Sequence, residues 1–417
     1  MVRPLLRGLL CCLLFGFLVV PLRAQTDAPS PGLSADAQIS LITILPGDPV
    51  YTFAGHSALR VHDPANDIDR LYNYGTFDFG DPFFIPKFTY GYLRYALSVR
   101  SYEPMMTFYR RQGRPVIEQP LNLSRAQQNR IAQFLRHNAR PENRYYQYDF
   151  FFDNCSTRIR DVLRSTLGDR VDFSGVPRPQ RSFRELLDPF VASRPALDLG
   201  FDLALGPPAD RHATAQEVMF LPTHLLRAFE HATIRTDGRE QPLVARTDTV
   251  QWISGYDATE ARLDWPFYLS LAFLVGVLAW TVRQAVTNTL PSGWGDAGLL
   301  STVGLTGLLI CYLWFISTYE VTDRNLNLLW AWPTHLWGAY LLARRPTATS
   351  LRLYLGLTAA AAGLFVLGAP LWPQNLHHAV PPFVAAVGIR AGWWASILGG
   401  AVNSERPTPE VPRSPSD

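Results

Sequence analysis

Cys155 follows three aromatics, Phe150 to Phe152, and a polar step, Asp153-Asn154, and it leads into STRIRDVLRSTLG at 156–168. Ile159, Val162, Leu163 and Leu167 recur there at helical spacing, and Gly168 can end the helix in a left-handed cap. Either Asp153 or Asn154 can cap its start, which puts the thiol in the first turn. Unpaired amides and the positive end of the helix dipole favour an anion at that point, so a thiolate is stabilised and an oxyanion can be held. The chemistry on offer is nucleophilic attack at an acyl carbon. The alternative is a buried, inert cysteine acting as a small hydrophobe.

Such a nucleophile needs a base. His56 is the best placed of His56, His62, His137, His212, His224 and His231. It follows Gly55 in AGHSAL on an expected strand, where small neighbours leave room for a partner. His62 adjoins Asp63 and Pro64 in a turn, His137 lies at the polar end of a helix, and the other three have no companion polar cluster. A purely structural strand histidine is the competing reading.

The elements that must position these groups form an α+β domain over residues 37–262. QISLITILPGD (38–48) alternates apolar and polar positions into a Pro-Gly turn, and VYTFAGHSALRVHD (50–63) and IDRLYNYGTFDF (68–79) read as further short strands. SRAQQNRIAQFLRHNAR (124–140), with Ser124 as cap and Ile131, Phe134 and Leu135 on one face, reads as an amphipathic helix. There is no internal repeat.

Apolar residues concentrate at both ends of the 417-residue chain. Residues 1–24 combine Arg3 and Arg7 with an apolar run and a small residue before Gln25, the pattern of a secretory signal cut near Ala24; an uncleaved anchor is the alternative. A Pro/Ser/Ala linker over 25–36 follows. Export makes Cys155 the only thiol of the soluble domain, because Cys11 and Cys12 lie in the signal and Cys311 in an apolar run. An unpaired thiol in an oxidising compartment is a liability unless its reactivity is used. A net charge of +3 is too small to argue for a nucleic-acid partner.

Segments 266–282, 297–317, 326–343, 353–371 and 377–398 are each long and apolar enough for a bilayer, so a bundle of five transmembrane helices is expected over 263–400. Arg283, Arg344, Arg345 and Arg352 fall in alternate short loops, which puts the large domain outside. Trp265, Trp294, Trp330, Trp332 and Trp372 suit interfacial belts, and Arg390 in the fifth span is expected to snorkel inward. The Pro-rich tail, 401–417, reads as disordered. His377-His378 has no acidic or thiol companion in sequence, so no metal spacing is seen.

The order of histidine on a strand, a polar residue on the next strand and cysteine opening a helix is a circular permutation of the papain-like arrangement, as in permuted relatives of NlpC-type peptidases. The run SLITILPGDPVYTFAGHSALRVHD, with NYGTFDF, KFTYG, ENRYYQYDFFFDNCSTRIRD, LGFDLALGPPAD and EVMFLP, resembles the periplasmic domain of the Lnb-type lipoprotein N-acyltransferases. The C-terminal spans, including TDRNLNLLWAWPTH (322–335), are similar to that family's membrane part.

The resemblance implies a thiol acyltransferase of the bacterial inner (cytoplasmic) membrane, needing no cofactor. A phospholipid gives an acyl chain to Cys155, and the N-terminal amine of a diacylated lipoprotein then takes it, with His56 moving protons in both steps. Asn73, one strand after His56, can orient the imidazole, or is a plain strand-edge asparagine. Phe152 and Tyr148, with Phe151, Tyr145 and Tyr146, can line an acyl groove, or are simply core. Asn325 and Asn327 can touch a headgroup or the lipoprotein, and His335 shares their position near a span; hydrogen bonding between helices is the alternative. Two other classes stay open: a cell-wall amidase or peptidase using the same pair with water as acceptor, and a non-catalytic envelope scaffold.

Overall fold

The computed structural model describes residues 32–77, 80, 82–257, 262–289, 292–344 and 349–404, with side chains described to residue 399. The signal expected over 1–24, most of the linker, Arg345 and the tail beyond 404 lie outside the described residues. Strands β1 (Gln38–Ile44), β2 (His56–Asp63) and β3 (Ile68–Thr76) form an antiparallel meander. They are followed by α1 (Phe84–Tyr90), β4 (Leu93–Ser101), α2 (Tyr102–Arg111), β5 (Val116–Pro120), α3 (Arg125–Asn138), β6 (Tyr145–Tyr148) and α4 (Cys155–Leu167). Then come β7 (Val171–Asp172), α5 (Phe183–Val191), α6 (Pro195–Ala204), α7 (Pro222–His231), β8 (Thr233–Thr236), β9 (Arg239–Pro242) and β10 (Asp248–Gln251). The main sheet is ordered β10-β5-β1-β2-β3-β4-β6 and is antiparallel throughout.

The run ISLITI in β1 is buried from end to end because both faces of the sheet are covered. Ile39 and Leu41 pack with Ile131 and Leu135 of α3 and Ile159 and Leu163 of α4. Ile42 and Ile44, one pleat over, pack with Tyr102 and Met106 of α2. Each such side chain contributes about 1.5–3 kcal/mol by leaving water. A one-residue slip of the β1–β2 register, which pairs Ile44 with His56, would exchange the two faces. The site histidine is thereby tied to the register of the core.

The expected strand over 50–63 begins only at His56, after a 3-10 turn over Val50–Thr52. Gly55 makes the reversal with φ +87°, and a Cβ there would stand 2.8 Å from Ile44 O. The expected amphipathic helix is α3, capped by Ser124, with Gln127 completing a capping box.

Helices α8 (Trp265–Thr287), α9 (Trp294–Phe315) and the Thr349–Leu371 region are long and apolar enough to cross a membrane. Segment 326–343, expected as one continuous helix, is broken. It forms a 3-10 turn over Leu326–Leu329 and a ten-residue helix α10 (His335–Arg344), which spans about 15 Å at ~1.5 Å per residue. Pro333 stands in the turn just before α10 and disfavours a helical Trp332 before it. The broken segment still runs along α9: Cβ atoms built on Gly307 and Gly304 would meet Ala331 O and Leu336, and one on Gly293 would meet Leu342 O. Trp330, expected in an interfacial belt, is buried and donates to Asn327 Oδ1.

After α11 (Thr349–Gly368), the last helix α12 (Val380–Ser404) continues past the boundary expected at 400. Arg390 does not snorkel. It is buried, its Nε and Nη2 each donate to Asp296 at 2.7 Å, and Nη1 donates to Thr281 and Gln284. The charge is satisfied by partners on α8 and α9 rather than by the membrane surface.

Candidate active site

His56 opens β2 and Cys155 opens α4, and neighbouring residues lock the two starts together. Ser57 and Ser156, each next to one of the pair in sequence, are fully buried with their hydroxyl oxygens 3.0 Å apart. His56 Nε2 lies 2.6 Å from Asn73 Oδ1. A carbonyl oxygen only accepts, so Nε2 carries the proton and Nδ1 is left as the basic nitrogen for the thiol. Gly75, at φ +130°, makes the space: a Cβ there would stand 3.1 Å from His56 Cε1 and 3.8 Å from Cys155 Cβ.

Burial pushes the half-buried Cys155 thiol up, but the charge and hydrogen bond of His56, the Ser57 N–H and the Ser156 hydroxyl outweigh it and leave the thiol below its ordinary value. The helix start is held by Asn154 rather than Asp153. Asn154 Oδ1 accepts from Ser156 N and Thr157 N at 2.8 and 3.0 Å, while its Nδ2 donates to Phe150 O and Phe220 O. Asp153 instead pairs with Arg158, whose guanidinium covers the Tyr146 ring. With the next two amides taken by Asn154 Oδ1 and that of Arg158 by Asn154 O, the Cys155 N–H is the first-turn donor still free among the described residues. A free N–H at a helix start is a donor that an anion next to the sulfur can use. A thiol, an imidazole with a fixed tautomer, a side-chain amide bonded to that imidazole and a free helix-start donor are thus gathered in one place, a set of groups that nucleophilic chemistry can use.

Residues 34–188 match the family described as the Lnb N-terminal periplasmic domain, and residues 258–399 match the Lnb transmembrane domain. The chain belongs to the Lnb family. It is therefore a lipoprotein-processing membrane protein, with a periplasmic domain joined to a membrane domain. No curated protein and no solved structure matches it.

In the Lnb periplasmic domain Tyr148 lies close enough to Cys155 for their charges to interact, and its ring stacks on Tyr95 at 4.1 Å. Phe77 stacks on the same tyrosine and Phe84 of α1 on Phe77, so an aromatic row leads away from the thiol. Phe152 packs edge-on against Phe183 but stays exposed, whereas Phe151 is buried against Phe183 and Phe220 and belongs to the cluster that joins the loop before Cys155 to the rest of the domain. Asn325 and Asn327 are buried latches. Asn325 Nδ2 donates to Leu203 O and Ala204 O of α6, and its Oδ1 accepts from Asn327 N and Gln374 Nε2. Asn327 serves Trp330, and His335 is buried between Trp330 O and the Tyr354 hydroxyl. Asn325, Asn327 and Gln374 thus tie the membrane domain to the end of α6, whereas the bonds of Trp330 and His335 stay within the membrane domain. Among the described residues no group of three or more His, Cys, Asp or Glu is gathered as a metal would require.

Sequence reasoning missed Gly75, the Ser57–Ser156 contact and Gln374. The first had a signal, a glycine inside a strand beside a candidate orienting residue. The other two depend on packing between segments far apart in the chain.

Proposed function

We propose that this chain transfers an acyl chain from a phospholipid, through a thioester on Cys155, to the N-terminal amine of a diacylated lipoprotein. His56 Nδ1 takes the thiol proton and the thiolate attacks the lipid ester carbonyl. The oxyanion of the tetrahedral adduct rests on the Cys155 N–H; its collapse breaks the ester C–O bond, and the departing glycerol oxygen takes the proton from His56 to leave as a lysophospholipid. In the second half the lipoprotein amine attacks the thioester, His56 accepts the amine's proton, and collapse forms the amide and returns the thiol. The papain-like order, permuted so that histidine precedes cysteine, belongs to this reading, as do the orienting role of Asn73 and an acyl groove along Tyr148.

The observation that carries it is the joint geometry of the pair: an imidazole held by Asn73 on one nitrogen, with its other side against a thiol depressed at a capped helix start. A membrane part suits a substrate whose reacting bonds lie at the bilayer surface. It has α8, α9, α11 and α12 as long helices, with the broken 326–344 segment as the fifth crossing, and an inner-membrane location follows from the same reading. Purified protein in phospholipid vesicles is expected to gain the mass of one fatty acyl chain on the Cys155 peptide and lose it to a diacylated lipopeptide. Cys155→Ala should show neither. Absence of the adduct on active-site-intact protein, or cleavage of peptidoglycan fragments instead, would replace acyl transfer by the amidase chemistry.

A further inference from the structure

Between α6 and the membrane helices lies a cavity of about 430 Å³, lined chiefly by apolar side chains including Leu199, Leu203, Leu269, Phe273, Trp330 and Phe383. Protein interiors are otherwise close-packed, and a space of this size falls in the range of about 300–1,000 Å³ typical of ligand sites. Besides Leu199 and Leu203 of α6 and Trp330, its lining comes from α8, α9 and the start of α12, of which α8 and α9 are long and apolar enough to cross a membrane.

One end of the cavity is polar. Asp198 and Asp264 directly precede the lining residues Leu199 and Trp265, and His377 lies two residues before Ala379, which also lines it. His377 Nε2 is 3.7 Å from Asp198 Oδ2 and 3.8 Å from Asp264 Oδ1. Its Nδ1 accepts from Ala379 N at 3.0 Å, so the ring proton is on Nε2, between the two carboxylates. Neither carboxylate is paired with an Arg or Lys in the described ion pairs, and each keeps about a third of its side chain exposed (31% and 32%). Two carboxylates around one imidazole, next to an apolar chamber, suit an amphiphile with a cationic head.

We propose that this cavity binds one acyl chain of a phospholipid whose primary ammonium headgroup is received by Asp198 and Asp264. The polar end is the end nearest the periplasmic domain, where α8 begins. The helix α6 that closes the cavity with Leu199 and Leu203 also carries Phe201, whose ring lies 5.5 Å from Phe53 and 6.5 Å from Phe150 of the nucleophile loop. The lipid is thus held one helix away from the loop that carries Cys155. The site deepens the acyl-transfer reading by naming the headgroup class of the donor. It rests on that reading for the step from capture to transfer, whereas capture itself does not.

The test uses the full chain with Cys155→Ala in vesicles of phosphatidylethanolamine or phosphatidylglycerol carrying a photoreactive acyl chain, with crosslinks mapped by mass spectrometry. Crosslinks are expected at Ser270, Trp330 and Val380, lining residues buried from the outer surface, above the level at Leu364 and Leu367, which face outward on α11. Thr306→Trp, or independently Leu199→Trp from the α6 side, should fill the space and lower the cavity crosslinks at least ~10-fold with those on α11 unchanged. Asp198→Asn with Asp264→Asn should lower capture of the ethanolamine lipid about 10-fold, as loss of charge-assisted hydrogen bonds does, and spare the glycerol lipid. Equal labelling of cavity and α11, or labelling indifferent to both fillers, overturns the site. Equal capture of the two lipids, unchanged by the Asp variants, overturns the headgroup assignment. Persistent cavity crosslinks in a wild-type protein that never forms acyl-Cys155 would uphold the lipid site and sink the transfer chemistry.

Discussion

Replacing Gly75 by alanine should damage catalysis more than folding. Two costs follow from its position. At φ +130° an L side chain is strained by about 1–3 kcal/mol, which a domain stable by roughly 5–15 kcal/mol survives. The new methyl would also stand 3.1 Å from His56 Cε1, so the ring must give way by some tenths of an ångström. A 1 Å misplacement of a reacting group costs about 10²-fold, so a smaller shift should slow acylation of Cys155 by between ~10-fold and ~10²-fold. The same shift weakens the His56 charge and hydrogen bond that hold the thiol down against burial, so the pH midpoint for its alkylation should rise. Single-turnover acylation read by mass, and a pH series of alkylation by a charged iodo reagent read on the Cys155 peptide, measure both effects. Wild-type acylation with an unmoved alkylation midpoint in folded Gly75→Ala would refute the geometry assigned to His56.

His56→Ala should abolish acyl-enzyme formation as fully as loss of the thiol, because base and nucleophile act as one unit, whereas Asn73→Ala should leave a slow acylation, ~10²-fold to ~10⁴-fold down by analogy with other orienting residues; equal rates in the two variants would contradict their different roles. Arg390→Met alone should destabilise the membrane domain by about 3–5 kcal/mol, since it strands a buried Asp296, and adding Asp296→Leu should restore most of the loss, as read by thermal unfolding in detergent. His224 is held down to about 4, first by burial and then by Arg227 and Arg181, from an ordinary value of 6.5. Its contribution is therefore complete above pH 6.5 and is lost as pH falls from there toward 4, with an upper bound of about 3 kcal/mol. His224→Gln should flatten the unfolding temperature across that window, and an unchanged slope would assign the acid sensitivity elsewhere.

What could be read from the sequence is what local physics sets. Cys155 begins a helix because a capping residue, an apolar stripe and a closing glycine lie within one short stretch. His56 and Asn73 sit on successive strands because alternation and turn residues are local signals, and their pairing follows from how the two strands meet. The number of long apolar segments follows from the bilayer's thickness, though Pro333 breaks one of them into a turn and a half-helix. Only the tertiary structure decided which atoms meet. The choice of Asn154 over Asp153 as cap turned on Phe220 O and Arg158 competing for the two side chains. Ser57 finds Ser156 across 99 positions and Arg390 finds Asp296 across 94, and such pairings carry no local signature. Asn325 and Asn327, open to a substrate as far as sequence could say, are consumed by the carbonyls of α6, because a non-helical backbone beside a membrane helix must have its polar groups satisfied from within the protein.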